Sequence, residues 1–394
     1  MSRIVIAICT VLIGLSATSI PALTPYSLYL RLSAALILGG SFVLSPAKGS
    51  NDRRARGIYW IAGLHAALLV TLFAVHPADP FPLARLLGVL LLLGVSWPLH
   101  RSYEAREVAD GMWSGICVLL VLGIAFTGST SIAFEQGRFR GVFENANLLG
   151  FVSGLLLFLA TVRQGGWTKF VMVIVAIASL LASASRSSAL VFFGLIVLLG
   201  FFADNRFAVR FSLGFTVTAA AIAAFYPSIL FGHDLFRAGN SRMPSMEIAQ
   251  LVLSDSPLFG YGFTRGGEVI LGNVVAGSAF SFAIIGGLLG LTFLAATFYT
   301  MLLSSWRLST TTGCFAIALI AYSFSEAWLL TMSGPTTLLA MMAWLAIETG
   351  EKRTRSRARR TEPQFRSVQR RLRHSVRPEI PGARYGDRRG SATV

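Results

Sequence analysis

Charge is what this sequence has least of. Only 13% of its 394 residues are charged and 54% are hydrophobic, against about 25% charged in an ordinary soluble domain. That balance excludes a soluble globular protein at the outset. Cysteine is scarce as well. Cys9, Cys117 and Cys314 each sit inside an apolar run, more than 100 residues from the next, which fits neither a metal cluster nor a disulfide framework. Each reads as a small buried hydrophobe. Asp-x-Asp occurs nowhere, and the acids outside the apolar runs are scattered, whereas a magnesium site needs converging oxygen ligands. No metal and no cofactor is expected. The chain also lacks the internal repeat that marks transporters built from two halves.

Long apolar runs are what it has. About 20 helical residues cross the ~30 Å hydrocarbon core, and twelve such segments lie near 4–22, 26–46, 57–76, 82–99, 111–130, 146–162, 168–184, 187–203, 211–230, 275–303, 311–332 and 334–348. The predicted fold is all-α: a polytopic membrane domain over residues 1–350, with about twelve transmembrane helices and a long loop, 231–274, between the ninth and tenth. The first segment, with Arg3 ahead of it and small residues at Ser19–Ala22, reads either as an uncleaved anchor or as a signal peptide. The many Phe and Trp are assigned to membrane packing and interfacial anchoring.

Basic residues are retained on the cytoplasmic side, so their asymmetry orients the chain. With the N-terminus inside, the inner loops carry eleven basic residues: Lys48, Arg53, Arg54, Arg56, Arg101, Arg106, Arg163, Lys169, Arg206, Arg210 and Arg307. The outer segments carry seven: Arg85, Arg138, Arg140, Arg186, Arg237, Arg242 and Arg265. Both termini are therefore expected in the cytoplasm. The net charge of +16 is concentrated in residues 351–394, where 14 Lys/Arg stand against four acids. Such a tail cannot bury enough apolar surface to order itself. It reads as a disordered cytoplasmic retention signal attracted to anionic lipid, in preference to a nucleic-acid-binding segment.

This topology places three unusual segments on the outer face. Gly137–Gly150 is a polar, glycine-marked loop directly before a span, in which Asn145 or Asn147 is placed to cap the helix. Ser183–Ser188 is a serine-rich joint that leaves Arg186 at the membrane boundary, where a charge needs a partner or a purpose. In the long loop, Pro244 starts a helix lined on one side by Ile248, Leu251 and Val252, ended by Ser254–Pro257 and followed by a turn at Gly260–Tyr261–Gly262. A helix lying on the outer leaflet is the plain reading. Arg31, near the outer end of its span, is explained by snorkelling, and His65 by burial in an apolar helix.

The order Gly-x-Phe-x-Asn-x-Asn at Gly141–Asn147, Ser-x-Ser-Arg at Ser183–Arg186, then Ser-Arg and Ser-Pro-Leu-Phe-Gly-Tyr-Gly within 241–262 resembles the bacterial O-antigen ligase and exopolysaccharide polymerase superfamily. The likeness covers roughly residues 137–290. It implies glycosyl transfer at the periplasmic face of the inner membrane, from a polyprenyl-diphosphate-linked glycan to a saccharide hydroxyl, without metal. Arginines of the family engage the donor diphosphate, and the matching positions are Arg186 and Arg242, with Arg140 and Asn147 as further donor-binding candidates. Guanidinium forks suit phosphate oxygens through charge-assisted, often bidentate hydrogen bonds.

Ligases of this superfamily carry a His-Asn pair about eleven residues before a Gly-x-x-Gly. Counting back from Gly287–Gly290 reaches Ala276–Gly277, so that histidine is missing. Substitutes for the acceptor base are His233, Glu268 and the intramembrane carboxylate Glu326. The missing histidine favours a polymerase role over a ligase. The competing class is a non-catalytic membrane protein, or a transporter or flippase of lipid-linked glycan.

Overall fold

A computed structural model describes residues 2–44, 54–128, 130–135, 137–163, 166–203, 209, 243–272 and 277–347. Within them the chain is built of helices: α1 (Ser2–Leu15), α2 (Ser27–Leu44), α3 (Arg54–Val75), α4 (Phe81–Ser102), α5 (Ala105–Ala125), α6 (Thr130–Ala133), α7 (Ala146–Val162), α8 (Trp167–Ala182), α9 (Arg186–Phe202), α10 (Met243–Asp255), α11 (Gly262–Gly272), α12 (Ser278–Trp306), α13 (Thr310–Ser323) and α14 (Pro335–Leu345). A two-residue hairpin, β1 (Phe134–Glu135) with β2 (Arg138–Phe139), precedes α7. A helix lies in every expected apolar segment except 211–230, which falls outside the described residues together with the basic tail. Five helical stretches are long and apolar enough to cross a membrane: Thr24–Leu44, Ala55–Val75, Phe81–Ser102, Ala105–Gly128 and Ser278–Trp306. The other apolar helices run 10–17 residues.

Helix α7 is the hub. It is apolar all round, and nearly every residue from Ala146 to Thr161 is buried, Asn147 being the exception in its first turn. A helix without a polar face must be enclosed, and α5, α8, α9 and α14 enclose it. Helices α2 and α9 by contrast leave Leu36, Leu190 and Phe201 outward, the pattern of sides that meet lipid.

Three regions depart from simple spans. Helix α1 stops at Leu15 instead of running on to residue 22, because Thr18 pairs with Phe143 in a β-bridge. The Ser19 N–H donates to the Val142 carbonyl, and the Glu144 N–H donates to that of Ala17. Gly141 permits this approach, with φ +61° and its backbone lying against Gly123.

The second departure is a break inside α12. Gly287 has φ +58° and ψ −142°, which splits the helix. The loop segment Pro257–Tyr261 enters the gap. Leu288 and Leu289 donate their N–H groups to the Pro257 and Leu258 carbonyls at 2.8 and 3.1 Å, and the Ile284 carbonyl accepts from the Tyr261 N–H at 2.9 Å. Unpaired backbone at membrane depth is costly, so the loop replaces the hydrogen bonds that the helix gives up. Helix α10 then packs Ala249 and Val252 against Ala283 and Ile284 of α12. Of the side expected from Ile248, Leu251 and Val252, Val252 is fully buried and Ile248 packs against the same cluster, whereas Leu251 is 65% exposed. Docking selects the Ala249–Val252 face, and Leu251 points away.

The third departure follows α13, which ends at Ser323 although the apolar pattern continues to residue 332. Residues 324–334 form turns and a short 3-10 segment. Arg31 Nη1 donates to the Ser333 carbonyl at 2.9 Å, and Arg85 Nη1 to that of Leu330 at 3.0 Å. Two guanidinium groups from neighbouring helices thus serve carbonyls that no helix serves.

Asp79 holds the α10–α11 hairpin from the side. Its carboxylate accepts from the N–H groups of Phe263 (2.6 Å) and Thr264 (2.9 Å), the Thr264 hydroxyl (2.9 Å) and the Phe81 N–H (3.0 Å). Desolvation alone would raise its pKa, but these donors together bring it below the ordinary carboxylate value. An acid with a depressed folded pKa stabilises the fold above its unfolded pKa of about 3.9 and loses that contribution as pH falls through the folded value. The melting temperature of the purified protein should therefore drop below about pH 4. Asp79→Asn should melt lower at neutral pH and lose that acid-dependent step; an unchanged pH profile in the variant would refute the assignment.

Candidate functional site

The described residues enclose a cleft of about 370 Å³ where the end of α1, the start of α2, the loop before α7 and the 324–334 break converge. Its wall combines charge with hydroxyls and rings: Arg31, Glu144, Asn147, Tyr322, Glu326 and Trp328 all line it. Irregular backbone at membrane depth is tolerated where it lines such a cavity, which accounts for the break in this position.

A row of hydrogen bonds runs through one wall. Arg138 Nε donates to the Ser183 carbonyl at 2.9 Å, and its Nη2 donates to Asn147 Oδ1 at 2.7 Å. Asn147 Nδ2 in turn donates to Glu326 Oε1 at 2.9 Å. The Ser278 hydroxyl donates to the Glu326 carbonyl at 2.9 Å, fixing the backbone behind it. The Gly-Arg-Phe-Arg loop and the first turn of α7 thus meet the serine joint and the break after α13, which lie far from them in sequence. Asn145, not Asn147, caps α7, its Oδ1 accepting from the Leu148 N–H at 2.8 Å. That division of labour leaves the Asn147 amide for Glu326.

Glu144 adds a second carboxylate. Desolvation in the cleft raises its pKa above the usual range although the residue reaches solvent, Arg31 pulls it back and Glu135 pushes it up again. Arg31 is held in place by its Ser333 bond and by Ser27, whose hydroxyl accepts from Nη2 at 3.0 Å. The cleft therefore offers one fixed cation, two carboxylates of different environment and aromatic edges. Such a surface suits a hydroxyl-rich ligand that needs many donors and acceptors and one proton acceptor.

Of the residues singled out from sequence, Glu326 and Asn147 share this cleft and are bonded to each other. Arg186 opens α9 on an exposed position next to the buried joint Ser183–Ser185 and does not line the cleft. Arg140 is engaged by backbone, its Nε donating to the Ile132 carbonyl and its Nη1 to that of Glu144. Glu268 is exposed on α11, away from the cleft. His233 and Arg242 lie outside the described residues.

Ala276, which stands at the family histidine position, also lies outside the described residues. Gly277 beside it has φ +95°, and a Cβ there would come within 2.6 Å of the Phe324 carbonyl oxygen. No asparagine fits where the family pair would put one. Sequence reasoning missed Arg31, Arg138 and Glu144. The signal for Arg31 was present, a cation inside an apolar helix; Arg138 and Glu144 gain meaning only through the folded loop. Among the described residues, no group of three or more His, Cys, Asp or Glu is placed to hold a metal ion.

The helical fold and its five long apolar helices define a membrane protein of the all-α class. No family model matches the sequence, and no curated protein does.

Proposed function

We propose that the chain is a metal-independent membrane glycosyltransferase of the O-antigen ligase and polysaccharide polymerase type, with twelve spans in a bacterial inner membrane, both termini cytoplasmic and the cleft opening to the periplasm. A saccharide acceptor occupies the cleft, and Glu326 takes the proton of its hydroxyl. The hydroxyl oxygen attacks the anomeric carbon of a polyprenyl-diphosphate-linked glycan, the bond from that carbon to the diphosphate oxygen breaks, and Arg186 with Arg242 neutralises the departing diphosphate. The observation that carries this reading is the row Arg138–Asn147–Glu326, which brings the loop motifs to a carboxylate in an open polar cleft.

The donor half is tested with Arg186→Ala and Arg242→Ala in a strain that makes the polysaccharide, with protein level checked by immunoblot and product examined on a gel. Removing one such stabilising group typically slows the reaction about 10²–10³-fold, so each variant should lose nearly all product. Normal polysaccharide from either would remove that arginine from the mechanism.

A further inference from the structure

A second cavity lies at the other end of the bundle, where α3 crosses α12. Gly57 makes the crossing possible, since a Cβ there would sit 2.6 Å from the Ser304 hydroxyl oxygen and 3.3 Å from the Trp344 ring. With the backbones so close, Arg56 at the start of α3 and Arg307 just after α12 face one cavity of about 260 Å³, which Trp60, Thr300, Leu303 and Ser304 help to line. Neither guanidinium has a hydrogen bond or ion pair among the described residues. Among the described residues, Asp110 and Glu107 at this end are already engaged. Asp110 pairs with Arg3 at 3.2 Å and with Arg163 at 2.8 Å, and Glu107 accepts from the Ser2 hydroxyl and the Glu104 N–H.

Two guanidinium groups on one cavity, without an acidic partner among the described residues, select an anion with several oxygens, above all a phosphate. The surroundings say where it comes from. Trp60, in the cavity wall, is 64% exposed, and exposed tryptophans mark the boundary between bilayer and water. The volume falls just below the roughly 300 Å³ at which sites for drug-sized ligands begin. It suits a headgroup, with the acyl chains left outside along the apolar surface near Leu303. Basic pockets between spans on the cytoplasmic side bind anionic headgroups.

We propose that Arg56 and Arg307 form a binding site for the phosphate of an anionic phospholipid in the leaflet at this end, independent of the glycan chemistry assigned to the cleft. The full chain, purified in detergent, would be titrated with phosphatidylglycerol or phosphatidylcholine and the bound lipid read by native mass spectrometry. Phosphatidylglycerol should bind in preference, and Arg56→Ala and Arg307→Ala should each weaken it about fivefold. Arg307→Lys, which keeps the charge, should retain most of the binding. Arg101→Ala removes the same charge at this end, but from a guanidinium stacked on Trp97 with 5.0 Å to the ring centroid, and should leave binding unchanged. A melting curve for each variant confirms that it is folded. Equal weakening by Arg101→Ala would mean diffuse surface attraction and overturn the site. Displacement of the lipid by an equal concentration of glycerol phosphate would overturn the lipid assignment in favour of a soluble anion, and equal binding of the two lipids would overturn both.

Discussion

Glu326→Gln should abolish polysaccharide formation while leaving the protein folded and in the membrane. The substitution is nearly isosteric. A glutamine oxygen still accepts the Asn147 Nδ2 bond that holds the side chain at 2.9 Å, and the backbone stays fixed through Ser278. What disappears is the capacity to take a proton, and a positioned general base contributes about 10²–10⁴-fold. Transfer by the purified, reconstituted protein should fall by that factor with little change in melting temperature. Asn147→Ala is the companion variant. It keeps the carboxylate but releases it, and leaves the Arg138 Nη2 that bonded Asn147 Oδ1 at 2.7 Å without that acceptor, so activity should drop and stability with it. Full activity in Glu326→Gln would remove the proposed base and leave Glu144 as the carboxylate of the cleft to be tested.

Gly287→Ala should be strongly destabilising although it adds a single methyl group. At φ +58° and ψ −142° an L-residue is strained, and such conformations cost about 1–3 kcal/mol. Space makes matters worse. The added Cβ would lie 2.7 Å from both the Gly260 nitrogen and the Pro257 carbonyl oxygen, which are backbone atoms with no side chain to swing aside. Relief requires expelling the loop from the helix break, and with it the Leu288 and Leu289 hydrogen bonds. A loss of about 3 kcal/mol or more is expected, seen as a lower melting temperature and as new protease cleavage near 257–261. Gly286→Ala is the control: its Cβ would meet nothing closer than the Leu72 side chain at 3.8 Å, so its effect should stay within about 1 kcal/mol. Equal damage from both would show that the break does not depend on Gly287.

The contrast between those adjacent glycines also shows how far the sequence could be read. Helices were legible because the bilayer imposes a length and a polarity that composition reports directly, and among the described residues a helix stands in each expected apolar run. The meeting of the loop motifs was legible in part, since the expected alternation of spans puts Asn147, Ser183 and Glu326 at one end. Their bonding was not. The order Arg138, Asn147, Glu326 depends on Asn145 taking the cap and on Gly141 letting the loop fold back onto the end of α1. The break after α13 was hidden for another reason: Phe324, Trp328, Leu329 and Met332 keep the segment as apolar as a helix, so hydropathy passes over it. Arg31, Arg85 and Ser278, all distant in sequence, join Thr337 in serving its carbonyls once they leave the helical pattern. On α10, Ile248 and Val252 were read correctly and Leu251 was not, because the exact edge of a half-apolar face is set by the surface of α12.

The loop lodged in α12 bears on how the protein is made. Pro257–Tyr261 precedes α12 in the chain, so these residues emerge from the ribosome before the helix that receives them is complete. Until they arrive, Leu288 and Leu289 can satisfy their N–H groups only by continuing a straight helix from Ile284 and Ile285. The broken helix is therefore a late product of assembly: docking of the loop comes before maturation of the break, and a chain whose loop is kept away should form α12 as an ordinary straight rod.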